Sequence, residues 1–375
     1  MLRVCTRCVS DTTIPGIRFD DRGVCNYCDV HDEMEQRYPQ GKAGELILEQ
    51  KVEAMKRRGR GRDYDIIVGV SGGRDSSYAL DRVVKLGLRP LAVHFDNGWN
   101  SEIAVSNIKT LTEKLNVDLH THVADWEEFK ELQLSFLRAS TSDAEIPTDV
   151  AIHATLHKVA AQEKIRSLVF AHSFRTEGVM PIGWTYMDGR YIKHVQRRFG
   201  KRRLKTVPNF YMKDLFYHTF FQRIEALPIL NYLPYNQKKI DKYLTEELGW
   251  RYSGGHHHES YYTHFFQSYY LPKKFGIDKR KIEFSALVRS GQVERDYALA
   301  ELEACEYPYE EELVEYVIQK LGLSQGEFEE IMQAKPKSFR DYPTYYPWLR
   351  LFHWPIKLAA QGNLIPRLLY LKFFG

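Results

Sequence analysis

Six consecutive residues, Ser71-Gly72-Gly73-Arg74-Asp75-Ser76, hold the parts from which a chain builds an anion cradle. Two glycines let backbone N–H groups turn toward one point, two hydroxyls add donors, and one carboxylate can hold a cation beside the anion. A cradle of this kind needs a strand to deliver it and a helix to leave from it. The run Ile66, Ile67, Val68 and Val70 reads as a strand buried on both faces. After the turn, Asp75, Ser76 and Ser77 offer helix-capping chemistry. Ala79, Leu80, Val83 and Val84 then form one apolar stripe that ends at Gly87. Strand, glycine turn and helix together aim a helix N-terminus at a phosphate-sized ligand. No Gly-Lys-Ser/Thr closes the turn, so it is not a Walker loop.

A second cluster lies at the start of the chain. Cys5-x₂-Cys8 and Cys25-x₂-Cys28 are separated by sixteen residues, which fits a tetrahedral four-cysteine zinc site with no open position. Four of the five cysteines are spent there, which argues for a reducing cytoplasm rather than a disulfide framework. MLRVCTRCV lacks the apolar core of a signal peptide, and no apolar run is long enough for a membrane span. With 43% hydrophobic residues and a net charge of +4 the chain can bury a core and carries no charge that demands nucleic acid.

The remaining elements are read in order. Residues 43–57 form a helix carrying Leu46, Leu48, Val52 and Met55, followed by the basic linker RRGRGR at 57–62. A second strand, Leu91–Val93, ends in His94-Phe95-Asp96-Asn97-Gly98-Trp99, where α/β sheets place ligand groups, so Asp96 is a candidate for the adenosine side of a nucleotide site. A helix at 101–115, a third strand near Val117–Val123, a helix from Trp126 to Leu137 and another at 150–163 follow. Asp149 stands at the entry of the last, as an N-terminal carboxylate or a functional one. A fourth strand, Ser167–Ala171, leads into His172–Gly178, which returns beside residues 71–76 in a doubly wound sheet. Eight Lys/Arg fall within Arg190–Lys205, a solvated face or an anion-binding surface. From about 215 the pattern is helical and aromatic-rich, with helices at 215–224, 237–248, 292–304 and 309–321. It is broken by Gly254-Gly255-His256-His257-His258-Glu259, from which one histidine and Glu259 are expected to face a substrate. Lys273, Lys274, Lys279, Arg280 and Lys281 add a basic group. Residues 342–375 are aromatic, basic and free of acids, a segment for packing on the chain or a partner, or for a membrane surface.

Ser71–Ser76 resembles the pyrophosphate loop of ATP pyrophosphatases. The wider set CTRCVSDTTIPGIRFDDRGVCNYC, GVSGGRDSSY, LAVHFDNGWNSEIAV, EIPTDVAI, FRTEG, LNYLPYN, GWRYSGGHHHES, LPKKFGIDKRK and SALVRSGQVERDYALAEL resembles the N-acetyl sugar amidotransferases. The match runs to about residue 302, and the tail beyond 322 lies outside it. Ala171-His172-Ser173 departs from the Gly-His-Asn or Gly-Glu-Asn type common in that family.

The resemblance implies an α/β fold: a doubly wound parallel sheet of the pyrophosphate-loop type over residues 63–214. A four-cysteine zinc module (1–42) and a helix with basic linker (43–62) precede it, and a mainly helical substrate or partner domain (215–375) follows. It implies that ATP, held with Mg²⁺, adenylates the oxygen of a sugar N-acetyl group, and that ammonia then converts the amide to an acetamidino group. ATP would be bound by Val70, Ser71, Gly72, Gly73, Asp75, Ser76, Asp96 and His172. Asp75, Glu177 and His258 would be catalytic, and Asp149, His257, Glu259, Lys274 and Arg280 would bind substrate. The sugar is expected to be a UDP-2,3-diacetamido uronic acid of O-antigen synthesis, or else a nonulosonic acid for flagellin. Ammonia would come in trans from glutaminase and cyclase-like subunits resembling the histidine-biosynthesis pair. Cys305, in the acidic stretch ELEACE, is a poor nucleophile for a glutaminase. A tRNA-thiolating enzyme would need a cysteine between 28 and 305, where none occurs, and an adaptor that has lost chemistry would not keep the loop intact.

Overall fold

The computed structural model describes residues 2–255, 257–304, 306–362 and 367–374, so His256 and Cys305 lie outside the described residues. Five parallel strands form one sheet: β1 (Ile66–Gly69), β2 (Pro90–Asp96), β3 (Asp118–Val123), β4 (Ser167–Val169) and β5 (Glu225–Leu227). Their spatial order is β3-β2-β1-β4-β5. The expected pyrophosphate-loop strand is therefore central, with β2 and β4 on either side of it. Ile67 of β1 pairs with both Leu91 and Leu168.

Alternation along β1 explains the two wound layers. Ile66, Val68 and Val70 point into one core with Ala79, Leu80, Val83, Ile108 and Leu111, so the helices Arg74–Lys85 and Glu102–Leu115 cover that face. Ile67 points the other way, with Leu91, Val93, Leu156 and Val159, so the helix Ile146–Gln162 covers the second face. Each of these fully buried aliphatic side chains is worth about 1.5–3 kcal/mol over exposure.

Several expectations are corrected. The helix expected at 150–163 begins one turn earlier, at Ile146, with Pro147 in its first turn where no N–H is missed, so Asp149 sits inside that turn. The helix expected at 215–224 is shorter and is followed by a strand. Met212–Phe216 runs into a π-helical turn, Tyr217–Phe221, and β5 then pairs with β4, so the sheet extends beyond residue 214. Leu46 of the helix Lys42–Arg58 faces solvent, while Leu48, Val52 and Met55 are buried. Among the described residues no helix is long and apolar enough to cross a membrane.

The helical remainder packs around a third core containing Trp99, Phe136, Tyr191, Tyr262, Phe265, Val317 and Phe339. This core joins the segment after β2 to helices from both halves of the chain. It is what carries residues 257–261 over the carboxyl end of the sheet.

Candidate functional site

The helix Arg74–Lys85 starts at Gly73, whose missing side chain leaves the helix without a side-chain cap, whereas Ser101 caps the next helix by accepting from the N–H of Ala104. Asp75, Ser76 and Ser77 lie inside the first turns rather than at the cap. Ser71 and Ser76 instead brace the turn: the Ser71 N–H donates to Ser76 Oγ at 3.1 Å, and the Gly73 N–H to Ser71 Oγ at 3.3 Å. The Gly72 carbonyl accepts from Trp250 Nε1 and Asn107 Nδ2, both at 2.9 Å. Gly72 has φ +80°, and a Cβ there would stand 2.4 Å from the Ala104 carbonyl oxygen. Only glycine fits this position.

The segment after the second glycine pair reaches the same turn. Ser101 N–H donates to the Glu259 carbonyl and Tyr261 N–H to the Trp99 carbonyl, both at 2.9 Å, pinning 259–261 across the end of β2. Glu259 then accepts a hydrogen bond from Ser71 Oγ at 3.1 Å, and its Oε1 lies 2.6 Å from where a Cβ on Gly73 would be. Tyr235, from LNYLPYN, donates its hydroxyl to Asp75. Glu177 accepts from the Ser173 N–H at 3.3 Å and lies 3.9 Å from His172 Nδ1. Asp75 and Glu259 thus reach the turn through Tyr235 and Ser71, and the field of Glu177 acts on both Tyr235 and His257. Among the described residues only the four cysteines lie close enough together to hold one metal ion.

Of the two described histidines in this run, His257 faces the carboxylates. Its Nδ1 is 3.7 Å from Glu259 Oε1. Burial opposes its charge, but the hydrogen bond to Glu259 and the fields of Glu259 and Glu177 overcome this and push the imidazole up to about 10. His258 turns away: its ring stacks on His264 with centroids 3.5 Å apart, and burial lowers it to about 4. His257 is therefore the histidine on the carboxylate side, whereas His258, expected as catalytic, packs its ring on His264. His257 has φ +62° in a turn, and its ring and that of His258 point apart.

This geometry fixes a pH dependence. Because the folded pKa of His257 lies above the free value, its pairing contributes fully below about 6.5 and is lost as pH rises toward about 10. Two-fifths of the side chain is exposed, so solvent screens the effect. The melting-temperature gap between the wild type and His257→Gln is expected to shrink across that window; a constant gap would contradict the pairing.

The other expected residues divide. Asp96 organises its own loop, accepting from Gly98 N–H at 2.9 Å and Asn100 Nδ2 at 3.0 Å. Val70 gives its carbonyl to His94 Nδ1 at 2.8 Å, and His94 Nε2 meets Asn100 Nδ2 at 3.0 Å, an arrangement that assigns the proton to Nδ1. Asp149 acts on the half-buried Glu145, which accepts from Thr263 and feels both Lys279 and His257; loss of solvation raises Glu145. Lys274 is spent elsewhere: its ammonium caps the helix Gln325–Gln333, donating to the carbonyls of Met332 at 3.1 Å and Ala334 at 2.7 Å. Arg280 pairs with Asp278 at 2.6 Å and lies over the Tyr307 ring. Tyr235, His94 and Glu145 were missed. A lone tyrosine, histidine or acid in a sequence gives no sign of which partner the fold brings to it.

The FRTEG turn that carries Glu177 is held by the cysteine module. Buried Arg175 donates to Glu35 at 2.7 and 2.5 Å and to the carbonyls of Asn231 and Tyr38. Glu35 belongs to the helix Asn26–Arg37, which begins right after Cys25. Arg175→Ala is expected to cost somewhat less than the roughly 3–5 kcal/mol of a fully buried pair, because Glu35 is over a third exposed. Urea unfolding measures it, and an unchanged midpoint would show that the turn is held by other contacts.

The four sulfurs lie within 4.8 Å of one another, with separations of 3.7 Å for Cys8–Cys25, Cys25–Cys28 and Cys8–Cys28 and 3.8 Å for Cys5–Cys28. A Zn–S bond of about 2.3 Å puts tetrahedral sulfurs about 3.8 Å apart, so the set fits one Zn²⁺. A cubane cluster, with irons and sulfides between its thiolates, needs them farther apart. Half-buried Arg289 donates to Cys8 Sγ at 3.2 Å, and Arg295 to the Cys5 and Cys8 carbonyls. These cations offset thiolate charge and fasten the module to the helical region.

Residues 259–354 match the family model for the LPS biosynthesis protein WbpG-like C-terminal domain. The match covers 96 of the 375 residues, about a quarter of the chain. LPKKFGIDKRK and SALVRSGQVERDYALAEL lie inside this range, which bears out the resemblance seen in the sequence and carries it through residue 354. Glu259, the first residue of the WbpG-like segment, is the one that meets Ser71. Solved structures similar to the chain include NMN synthetase from Francisella tularensis, with 12% identity, 75% of this chain and 94% of that chain covered, and TM-score 0.29. The NH3-dependent NAD synthetase from Campylobacter jejuni has 12% identity, covers 48% and 74%, and scores 0.28. The U34-tRNA thiolase NcsA from Methanococcus maripaludis with its [4Fe-4S] cluster has 15% identity, covers 87% and 100%, and scores 0.28. Comparison with curated protein sequences returns no match.

Proposed function

We propose that the chain is an ATP-dependent amidotransferase that converts a sugar N-acetyl group to an acetamidino group. The observation that carries the reading is the hydrogen bond from Ser71 to Glu259, which joins the pyrophosphate-type turn to the start of the WbpG-like segment in one site. An amide carbon is a poor electrophile and its oxygen a poor leaving group. Attack of that oxygen on the α-phosphate of ATP, with expulsion of pyrophosphate, corrects both faults. Ammonia then adds to the carbon, and AMP leaves with the former amide oxygen.

In this reading the backbone of 71–76 and the Ser71 and Ser76 hydroxyls receive the charge building on pyrophosphate. Asp75, the carboxylate of the loop itself, would hold Mg²⁺, which neutralises phosphate charge when bound. Tyr235 orients Asp75, and cationic His257 offers a further contact for an anionic group. Asp96 and His172 serve the adenosine side, and Asp149 with Lys279 the sugar. Zinc at Cys5, Cys8, Cys25 and Cys28 has a structural role. The sugar we favour is a UDP-2,3-diacetamido uronic acid, with a nonulosonic acid as the second reading. Ammonia is supplied in trans by glutaminase and cyclase-like subunits.

The test supplies ATP, Mg²⁺ and ammonium with each sugar. Expected are AMP and pyrophosphate release that depends on one sugar, and a product lighter by the difference between O and NH. Release triggered by tRNA instead would replace this reading with thiolation.

A further inference from the structure

The acid-free tail buries Tyr342 and Tyr370 but leaves other large apolar side chains uncovered. In the helices Tyr346–Leu351 and His353–Gln361, Trp348 is 56% exposed, Leu351 73%, Trp354 69% and Leu358 65%. The opposite face of the second helix is the one that docks: Ala360 is fully buried, and Ile356 packs on the core that also takes Tyr370 and Leu371. A helix apolar on both sides is covered on both sides in its working state, and the described residues cover only one.

Charge says what covers the other. From Tyr342 to the end the sequence has Arg350, Lys357, Arg367 and Lys372 and no acid. The helix Gly189–Phe199 adds Lys193, Arg197 and Arg198, all exposed. The two elements are clamped together: Arg190 lies 5.7 Å over the Tyr345 ring, Arg198 5.9 Å over the Tyr342 ring, and Tyr345 N–H donates to Asp188, the cap of the basic helix. Lys357 sits 5.2 Å over the Trp354 ring, a cation held at the edge of the apolar patch. Tryptophan and leucine on the outer side of a surface helix, bordered by cations, form the pattern of a helix lying in a lipid interface, where rings enter the headgroup layer and cations meet anionic lipid.

We propose that residues 346–361, with the adjoining basic helix, dock the protein on an anionic membrane surface without crossing it. The proposal is independent of the reaction assigned above.

The experiment is co-sedimentation of the full chain with vesicles of phosphatidylcholine alone or mixed with phosphatidylglycerol, at low and high salt. Binding is expected only with phosphatidylglycerol, weaker in salt, and reduced about tenfold or more in Trp348→Ala/Trp354→Ala. Lys193→Glu/Arg197→Glu is expected to weaken it as well. Both pairs are exposed, so circular dichroism and melting of the variants should match the wild type. The proposal is overturned by no binding to phosphatidylglycerol vesicles, by binding unchanged in the tryptophan variant, or by those tryptophans being needed for RNA binding instead.

Discussion

Gly72→Ala is expected to lower ATP-dependent pyrophosphate release by about 10²–10³-fold, the scale of losing a preorganised donor at a developing anion. The new methyl would meet the Ala104 carbonyl at 2.4 Å and its Cα at 2.9 Å, both backbone atoms that no rotamer change can move. The φ of +80° adds about 1–3 kcal/mol of backbone strain. The turn relieves both by rotating, which breaks its bonds to Trp250 and Asn107 and re-aims the N–H groups. Asp75→Asn separates fold from chemistry: it keeps volume and a partner for Tyr235 but loses the charge, so a similar activity loss with unchanged melting is expected. Steady-state kinetics and thermal denaturation of the two variants measure this. Near-normal turnover in Gly72→Ala would remove the turn from the mechanism.

Stripping the metal from the cysteine cluster, or Cys8→Ser, is expected to unfold the N-terminal module. Structural zinc holds about 10–16 kcal/mol of apparent binding free energy in small domains, more than a module with so small a core can replace. The consequence should reach the site, because Glu35 and Tyr38 lose their place and with them the anchors of Arg175 and of the turn bearing Glu177. Zinc content, limited proteolysis of residues 2–40 and melting temperature report it together. Full resistance to proteolysis after chelation would contradict a structural metal, and iron with acid-labile sulfide would contradict zinc.

The parts of the fold that could be read in the sequence were those encoded locally. A doubly apolar run, a glycine turn and one amphipathic stripe marked β1 and its helix, and sulfur spacing alone marked the metal set. β5 was illegible because its three residues carry no pattern of their own; pairing with β4 makes them a strand. In the site, loop residues were found where composition is unusual, as in Ser71–Ser76 and His257–Glu259. Long-range partners were missed. Nothing in LNYLPYN announces that Tyr235 reaches Asp75, and Lys274 looked like an anion ligand until the carbonyls at the end of a distant helix claimed it. The choice between His257 and His258 was equally hidden, since it depends on a positive-φ turn and on His264.

The central claim is that the amide oxygen attacks ATP, and the most direct test follows that atom. The sugar is prepared with heavy-isotope oxygen in only the N-acetyl group that is converted and turned over with ATP, Mg²⁺ and ammonium. The account predicts that the label appears in AMP, none in pyrophosphate, and an acetamidino product free of it. Unlabelled AMP, or label retained in the sugar product, would contradict adenylation of the amide and with it the function proposed for this site.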